Sequence, residues 1–223
     1  LSHKLLKRFY KEANLSSGFT ILDSDDQLRI VKRISKELNL DEATWPARQT
    51  QWQINSWKDD SLRSKDVNEN EDYFKETIKK VYIEYEEVCK NDNLVDFGEL
   101  LLKSYEVIKE NELVKEFFHS RFKSVLVDEF QDISRARMSL AKAIFECPNC
   151  ESFTAVGDDW QAIYRFSGGR LTLTTRFADE IGSHTESKLQ ETFRYNDSIA
   201  EIAGGFVMEN QEQIKKTIET EAK

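Results

Sequence analysis

The chain has 223 residues, of which 39% are hydrophobic and 33% are charged, and its formal net charge is −9. This size and apolar content suffice for a packed core, in one large or two small domains. The acidic balance excludes a protein that coats nucleic acid with a generally basic surface, although it leaves room for a local basic groove. No run approaches the ~20 apolar residues of a membrane span, so the sequence predicts a soluble chain without a membrane partner.

Cysteine usage predicts a cytoplasmic protein. The three cysteines are an odd number, which favours reduced thiols. Cys147 and Cys150 form a CxxC pair, but neither a second pair nor clustered histidines accompany it. We therefore interpret the pair as an unligated connection between a helix and a strand rather than as a zinc or redox site.

The first 122 residues predict a series of amphipathic helices. Apolar residues recur there at helical spacing, and no segment gives a strand signal. The predicted helices cover residues 1–13, a segment capped by Asp23 or Ser24 that ends at Asn39, residues 46–57, residues 73–88, a segment capped by Asp96 that reaches Ile108, and residues 113–121. The polar residues 63–72 are predicted to form a loop.

Three tryptophans, Trp45, Trp52 and Trp57, lie within thirteen residues of one another. Clustered aromatic rings can stack on nucleic-acid bases, but rings on amphipathic helices more often pack within a core or between helices. We therefore expect packing rather than base stacking at these three positions.

Beyond residue 122 strands alternate with helices, as is typical of parallel α/β packing. The predicted elements are a strand at 124–127, a helix at 134–145, a strand at 152–156, a helical turn at 160–164, a helix near 171–181, a short strand at 187–190 and a last helix capped by Asn196 or Asp197. Four apolar residues of the last helix are predicted to face inward, namely Ile199, Ile202, Ala203 and Phe206. The tail from Gln211 is polar and is predicted to fray.

The strand at 124–127 ends in two carboxylates, Asp128 and Glu129. An apolar, β-favouring run that stops at acidic residues is typical of a buried central strand whose carboxyl end opens into a ligand crevice. Such a carboxylate suits Mg²⁺, which keeps most of its waters and binds one or two carboxylates beside substrate phosphates. The competing interpretation is an ordinary strand followed by an acidic turn. A second strand that ends at Asp158 and Asp159 favours the ligand site.

Three segments resemble successive motifs of superfamily 1 helicases of the UvrD/Rep type, in order and in spacing: DEFQD at 128–132, VGDDWQAIY at 156–164 and ETFRY at 191–195. Residues 19–27 and 94–100 are similar to the helical insertion of UvrD-like members, whereas residues 160–168 are closer to helicase IV-like members. The resemblance covers essentially the whole chain.

The resemblance implies an α/β fold: part of a RecA-like P-loop NTPase domain with a parallel sheet, plus a large all-helical insertion domain. Residues 1–122 would form the helical insertion, residues 123–189 the C-terminal half of the first RecA-like motor domain, and residues 190–223 the start of the second motor domain. The chain would then be an interior fragment of a longer helicase.

The resemblance also implies catalytic and nucleotide-binding roles. Asp128 would hold Mg²⁺, and Glu129 would act as general base toward the water that attacks the terminal phosphate of ATP. Gln161 would sense the γ-phosphate, and Arg194 would stabilise charge in the transition state. Phe193 would stack on adenine. The competing interpretations are a turn-stabilising amide for Gln161 and a surface salt bridge for Arg194.

Supporting and DNA-binding roles are implied for four further residues. Gln131 and Asp132 would brace the site. Tyr164 and Phe166 would contact single-stranded DNA, where stacking of a base on a ring is worth ~1–3 kcal/mol. Core packing is the competing interpretation for both rings. UvrD-like members usually have tryptophan at the position of Phe166 and arginine at that of Ser167, so backbone contacts are expected to be weaker or differently placed.

The implied parent is an ATP-dependent DNA helicase with ATP and Mg²⁺ as cofactors, and with single-stranded DNA and single-strand/duplex junctions as partners. It would move 3′ to 5′ and unwind duplexes in DNA repair or replication, with repair proteins as candidate partners. No glycine of this chain is followed by lysine, so the phosphate-binding GxxxxGK[ST] loop is absent from it. We therefore expect the isolated chain to hydrolyse ATP negligibly.

Two alternatives to this helicase remain open. The motor subunit of a recombination nuclease uses similar motifs. A degenerate helicase-like module that binds DNA or protein is the non-enzymatic alternative. The joint presence of Asp128, Glu129, Gln161 and Arg194 argues against the latter, since a binding module does not need that set together.

Overall fold

Two units make up the chain, of which the computed structural model describes residues 1–68, 73–146, 148–163 and 169–220. The first unit comprises Leu1–Val125 and Ser134–Phe153, and the second comprises Leu126–Ile133 and Thr154–Lys223. Within the described ranges, no helix combines the length and the apolar character needed to cross a bilayer.

The first unit is mainly helical. Its described helices are α1 (Ser2–Arg8), α2 (Ser24–Glu37), α3 (Ala47–Asp59), α4 (Tyr73–Asn91), α5 (Phe97–Glu110), α6 (Glu112–His119) and α7 (Arg135–Phe145). The six helices predicted before residue 122 are confirmed, although α1 ends five residues earlier than predicted. Two short strands, β1 (Thr20–Ile21) and β2 (Leu94–Val95), pair in parallel. The prediction of no strand here was wrong, because two-residue strands are too short to show alternation.

Capping residues set the starts of several helices, as predicted. The Asp23 carboxylate accepts hydrogen bonds from the backbone N–H groups of Asp25 and Asp26, at 2.9 and 2.8 Å. Asp96 Oδ1 accepts from Glu99 N at 2.7 Å. Such bonds satisfy N–H groups that have no partner within the helix, so local sequence is enough to place these starts.

Two apolar clusters form the core of the first unit. One involves α2, α3 and α4, and includes Trp45 and Trp57. The other joins apolar residues of α1, α5, α6 and α7. Packing of Trp45 and Trp57 is therefore confirmed, whereas Trp52 remains 59% exposed on α3. The predicted packing was wrong for Trp52 because it lies on the solvent-facing side of the helix.

A buried ionic cluster that was not predicted from the sequence connects α3, α4 and α5, the contact to α4 being that of Arg63 with Glu86. Lys58 Nζ lies 2.6 Å from Asp96 Oδ2 and 3.2 Å from Glu99 Oε2, and the Lys58 side chain is 1% exposed. Arg63 lies 2.8 Å from Glu99 and makes a two-point contact with Glu106, at 2.7 and 2.6 Å. The loop predicted at 63–72 includes a short 3₁₀ helix, Ser64–Asp66, and its residues 69–72 lie outside the described ranges.

Strands β3 (Ser124–Val127) and β4 (Ser152–Ala155) form a two-stranded sheet. The bonded pairs, Glu151 N to Lys123 O and Val156 N to Val127 O, advance in the same direction along both strands, as in a parallel pair. Strand, helix and strand alternate here as predicted. Burial of β3 as a central strand was wrong, since Leu126 is 75% exposed. Among the described residues β3 has only one neighbouring strand, and no helix or strand covers the face of β3 that carries Leu126.

The remaining elements of the second unit are α8 (Leu171–Thr175), α9 (Phe177–Ile181), β5 (Glu191–Thr192), α10 (Asp197–Met208) and β6 (Glu219–Thr220). The single helix predicted near 171–181 is interrupted at Arg176, whose φ of −118° and ψ of 42° are not helical. The strand predicted at 187–190 forms instead at β5. β6 pairs with it in parallel, so the prediction of a frayed tail was wrong for the described residues 211–220.

The last helix begins as predicted but is not buried. The Asn196 side chain caps α10 by accepting from Ile199 N at 3.2 Å. Ile202 and Phe206 are nevertheless exposed, as are Ile199 and Ala203, so the inward orientation predicted for this face was wrong. Helical periodicity identifies an apolar face, but it does not supply the surface that would cover it.

Candidate functional site

Asp128 and Glu129 lie at the carboxyl end of β3, and both side chains are exposed. Asp128 Oδ1 accepts the backbone N–H of Glu129 at 2.9 Å. Glu129 has φ 49° and ψ 45°, in the left-handed region, where a residue with a side chain is strained by roughly 1–2 kcal/mol. This backbone turns the chain from the strand directly into the short 3₁₀ helix Phe130–Asp132. The two carboxylates are thereby presented to solvent at the strand tip.

Gln131 connects the ends of the two strands through its side chain. Its Nε2 donates to Glu129 Oε2 at 2.6 Å, and its Oε1 accepts from Asp158 N at 3.0 Å. The Gln131 side chain is 3% exposed, so its own end of each bond is shielded from water. The backbone supports this connection, because Phe130 N donates to Val156 O at 2.9 Å.

Gly157 allows the close approach of these two strand ends. A Cβ at this position would lie 2.7 Å from Gln131 Oε1 and 3.1 Å from the backbone nitrogens of Gln131 and Phe130. No larger residue fits without displacing backbone atoms. The glycine between Val156 and Asp158 is therefore a steric requirement of the site.

Asp158 holds Gln161. Its Oδ1 accepts from Trp160 N at 3.1 Å, which caps the 3₁₀ helix Asp159–Gln161, and its Oδ2 accepts from Gln161 Nε2 at 2.7 Å. The second strand end is thus tied to the first through Gln131, and Glu129 and Gln161 belong to one hydrogen-bonded series. A helical turn was predicted at 160–164; the observed turn begins one residue earlier and ends at Gln161, and residue 164 lies outside the described ranges.

Lys216 supplies the positive charge of this region. Its Nζ contacts Asp158 Oδ1 and lies 2.8 Å from Asp159 Oδ1. Burial alone would raise the pKa of Asp158, but hydrogen bonds from Lys216 and Gln161 outweigh burial and hold the pKa below its ordinary value. Lys216 cannot be identified as a site residue from the sequence, because nothing in the polar tail distinguishes it from neighbouring charged residues.

Phe193 and Arg194 follow β5 directly, and both are exposed. Arg194 N donates to Thr192 Oγ1 at 3.4 Å. Within the described ranges, no hydrogen bond or ion pair joins the Arg194 side chain to Glu129 or Gln161, so the structure does not bring these predicted site residues together. Tyr164 and Phe166 lie outside the described residues, as does Cys147.

The carboxylate oxygens at the end of β3 can bind Mg²⁺ only together with phosphate oxygens of a substrate. Over the described ranges, no group of three or more histidine, cysteine, aspartate or glutamate side chains is arranged to hold a metal by itself. Asp128 offers exposed carboxylate oxygen, the hard ligand that Mg²⁺ prefers. One carboxylate with waters and phosphate oxygens is a usual magnesium environment in phosphoryl-transfer sites, so Asp128 is a suitable protein ligand.

Comparison with known proteins gives a consistent family. Residues 1–182 match the family model described as UvrD/REP helicase N-terminal domain. DNA helicase II of Escherichia coli K12 is 35% identical over 221 residues, which cover 99% of this chain and 30% of that protein. DNA helicase IV of the same organism is 40% identical over 129 residues, 58% of this chain and 18% of that protein. The ATP-dependent DNA helicase PcrA of Bacillus subtilis is 27% identical over 219 residues, 98% of this chain and 29% of that protein.

Proposed function

Because the chain belongs to the UvrD/REP helicase family, we propose that it is part of an ATP-dependent DNA helicase. The protein that contains it would couple ATP hydrolysis to 3′ to 5′ movement along single-stranded DNA and to duplex unwinding in repair or replication. The chain spans about 30% of the length of DNA helicase II, so these activities are proposed for the longer protein. The observation that carries the proposal is the series of hydrogen bonds from Glu129 through Gln131 and Asp158 to Gln161.

Hydrolysis of the terminal phosphate of ATP needs a positioned water and neutralised charge. Glu129, exposed at the strand tip and held by Gln131, would orient and deprotonate the water. Gln161, held by Asp158, would donate to a γ-phosphate oxygen or to the water without adding charge. Asp128 would hold Mg²⁺, which neutralises phosphate charge when bound. Arg194 would reach the γ-phosphate after approach of the segment that follows β5.

The nucleotide base and the DNA would be bound by aromatic rings. Phe193 is exposed directly after β5, which leaves its ring face available to stack on adenine. Tyr164 and Phe166 are proposed to stack on bases of single-stranded DNA. Single-strand/duplex junctions and repair proteins are the further partners proposed for the parent protein, in the cytoplasm.

The domain assignment is part of the same proposal. Residues 1–122 would be the helical insertion, residues 123–189 the later half of the first RecA-like domain, and residues 190–223 the start of the second. The helical character of residues 1–122 and the parallel β3–β4 pair that follows them support this assignment.

The test is phosphate release from ATP in the presence of single-stranded DNA. In the helicase that carries this chain, Glu129→Gln should reduce the turnover number at least ~100-fold, because it removes the proposed base while keeping the shape of the side chain. Glu151→Gln changes an exposed glutamate before β4 and serves as the matched control, with turnover expected to stay unchanged. Equal turnover of both variants would refute the role of Glu129.

The 223-residue chain by itself provides a second test. Without a phosphate-binding loop it should release phosphate at a rate indistinguishable from its Glu129→Gln variant. Turnover at the rate of the complete helicase would contradict this expectation. DNA binding without any turnover in the complete protein would instead favour the degenerate binding module.

A further inference from the structure

We propose that Lys216 is a positioning residue of the hydrolysis site, which holds Asp158 and, through Asp158, fixes the amide of Gln161. This inference rests on the proposed function, since Gln161 matters only if the site hydrolyses a nucleotide. It assigns a role to a residue in the polar tail, far in sequence from the motif residues that the family resemblance identifies.

The Lys216 ammonium lies in a well-defined, largely buried ionic environment. Its side chain is 12% exposed, and its ammonium is shared between Asp158 and Asp159, whose side chain is 3% exposed. Asp159 is anchored a second time, because its Oδ2 accepts from Ile214 N at 2.7 Å. Two adjacent carboxylates repel each other, and a single, largely buried ammonium between them relieves that repulsion and fixes both.

The Trp160 indole closes this site from one side. Lys216 Nζ lies 4.9 Å from the centroid of the Trp160 ring, within the range of a cation–π contact. Trp160 Nε1 donates to Ile214 O at 3.4 Å, so the same backbone segment is held at two points. Flexible surface lysines make no such set of contacts, and the ammonium position is therefore defined by its surroundings.

One step of hydrogen bonding separates Lys216 from the proposed catalytic amide. Lys216 binds Asp158 Oδ1, while Gln161 Nε2 donates to Oδ2 of the same carboxylate at 2.7 Å. Without the ammonium, the Asp158 carboxylate would keep only its bonds from Trp160 N and Gln161 Nε2, so its orientation and that of the Gln161 amide would be less fixed. The Asp158 backbone N–H also bonds to Gln131, so the disturbance would reach the partner of Glu129.

Lys216 also connects this site to the strand that presents Arg194. It lies three residues before β6, and β6 pairs with β5, which ends two residues before Arg194. A displacement of the β5–β6 pair would therefore pull on Asp158 through Lys216. This is a physical link by which Gln161 could respond to the position of the segment that carries Arg194.

The experiment compares Lys216→Met with Lys215→Met, in which the same charge is removed one residue earlier from an exposed side chain. In the complete helicase, Lys216→Met should lower kcat for DNA-stimulated ATP hydrolysis about tenfold while KM for ATP changes less than twofold, because positioning rather than binding is lost. Lys216→Arg should retain most of the activity, since arginine keeps the charge and the donors. Lys215→Met should behave as the unaltered protein.

A structural readout in the 223-residue chain accompanies the kinetics. The ¹⁵N-resolved signal of the Gln161 side-chain amide should shift and exchange faster with water in Lys216→Met, and should stay unchanged in Lys215→Met. Circular dichroism checks that each variant is folded, and Lys216→Gln, which keeps a donor without the charge, repeats the test if the methionine variant unfolds.

The possible failures are distinguishable. If the complete unaltered protein does not hydrolyse ATP, the proposed function fails and the role of Lys216 with it. If the unaltered protein is active and Lys216→Met matches Lys215→Met in both kcat and the Gln161 signal, the role of Lys216 is overturned while the proposed function stands. A loss of kcat with an unchanged Gln161 signal would also overturn positioning through Asp158.

Discussion

Replacing Lys58 by methionine should destabilise the first unit strongly, because it would leave two buried carboxylates short of a cation. Lys58 Nζ lies 2.6 Å from Asp96 and 3.2 Å from Glu99, and all three side chains are buried. Removing one partner of a buried ion pair costs about 3–5 kcal/mol, since the remaining charge is neither solvated nor paired. Methionine keeps most of the apolar stem of lysine, so the change tests charge more than packing.

The cost should fall within this range rather than above it, because each carboxylate keeps other partners. Asp96 Oδ2 still accepts from the Tyr85 hydroxyl at 2.8 Å, and Glu99 Oε2 from Arg63 at 2.8 Å. These bonds compensate part of the lost charge, and they hold the carboxylates in place rather than allowing them to move to water.

The pH dependence of this loss has a definite sign. Burial alone would raise the pKa of Glu99, but Lys58 and Arg63 outweigh burial and hold the pKa well below its ordinary value of 4.5. A carboxyl whose pKa is lowered by folding contributes stability above the unfolded pKa and loses it as pH falls toward the folded pKa. Lys58→Met removes one of the two cations. The difference in the free energy of unfolding between the variant and the unaltered protein should therefore be largest at neutral pH and should shrink below about pH 4.5.

Urea unfolding followed by tryptophan fluorescence measures this effect, since Trp45, Trp52 and Trp57 all lie in the first unit. Lys32→Met, on the exposed face of α2, is the matched control and should change the free energy of unfolding by less than about 0.5 kcal/mol. A loss below about 1 kcal/mol at pH 7 for Lys58→Met, or a loss that does not vary with pH, would refute the argument that the buried charges depend on one another.

Three further outcomes follow from the described contacts. Gly157→Ala should destabilise the second unit by about 1–3 kcal/mol in urea unfolding, because its Cβ would lie 2.7 Å from a side-chain oxygen, whereas Gly205→Ala, in open space on α10, should be neutral or stabilising. The Asp158 carboxyl, followed by ¹³C NMR, should titrate below its ordinary pKa and should return toward that value when Lys216 is replaced by methionine; no change on that replacement would contradict the assigned ion pair. Asp23→Ala should cost about 1 kcal/mol in thermal unfolding through loss of the α2 cap, and an unchanged Tm would argue against that cap.

Local features of the fold could be predicted from the sequence, because their causes lie within a few residues. The cap at Asp96 acts on an N–H group three residues later, and the cap at Asn196 does the same. The turn after β3 and the turn after β4 are likewise encoded next to the strands they end. Such features need no knowledge of the rest of the chain.

Features that depend on distant partners could not be predicted in this way. Lys58 meets Asp96 only after α3 and α5 have packed, and Lys216 meets Asp158 from 58 residues away. A charged residue that will be buried looks in sequence like a charged residue on a solvated face. Burial of α10 and β3 was mispredicted for the same reason, because periodicity gives the apolar face and tertiary packing decides whether it is covered.

The chemistry of position 131 illustrates how the two kinds of information combine. The site there needs a donor toward Glu129 and an acceptor for the backbone N–H of Asp158. A primary amide presents both from one neutral side chain, whereas a carboxylate would place an acceptor against the Glu129 carboxylate and a charge in a buried position. The motif predicts that Gln131 braces the site, but neither of its partners can be identified from the motif alone. Only the approach of β4, permitted by Gly157, makes glutamine the side chain that satisfies both strand ends.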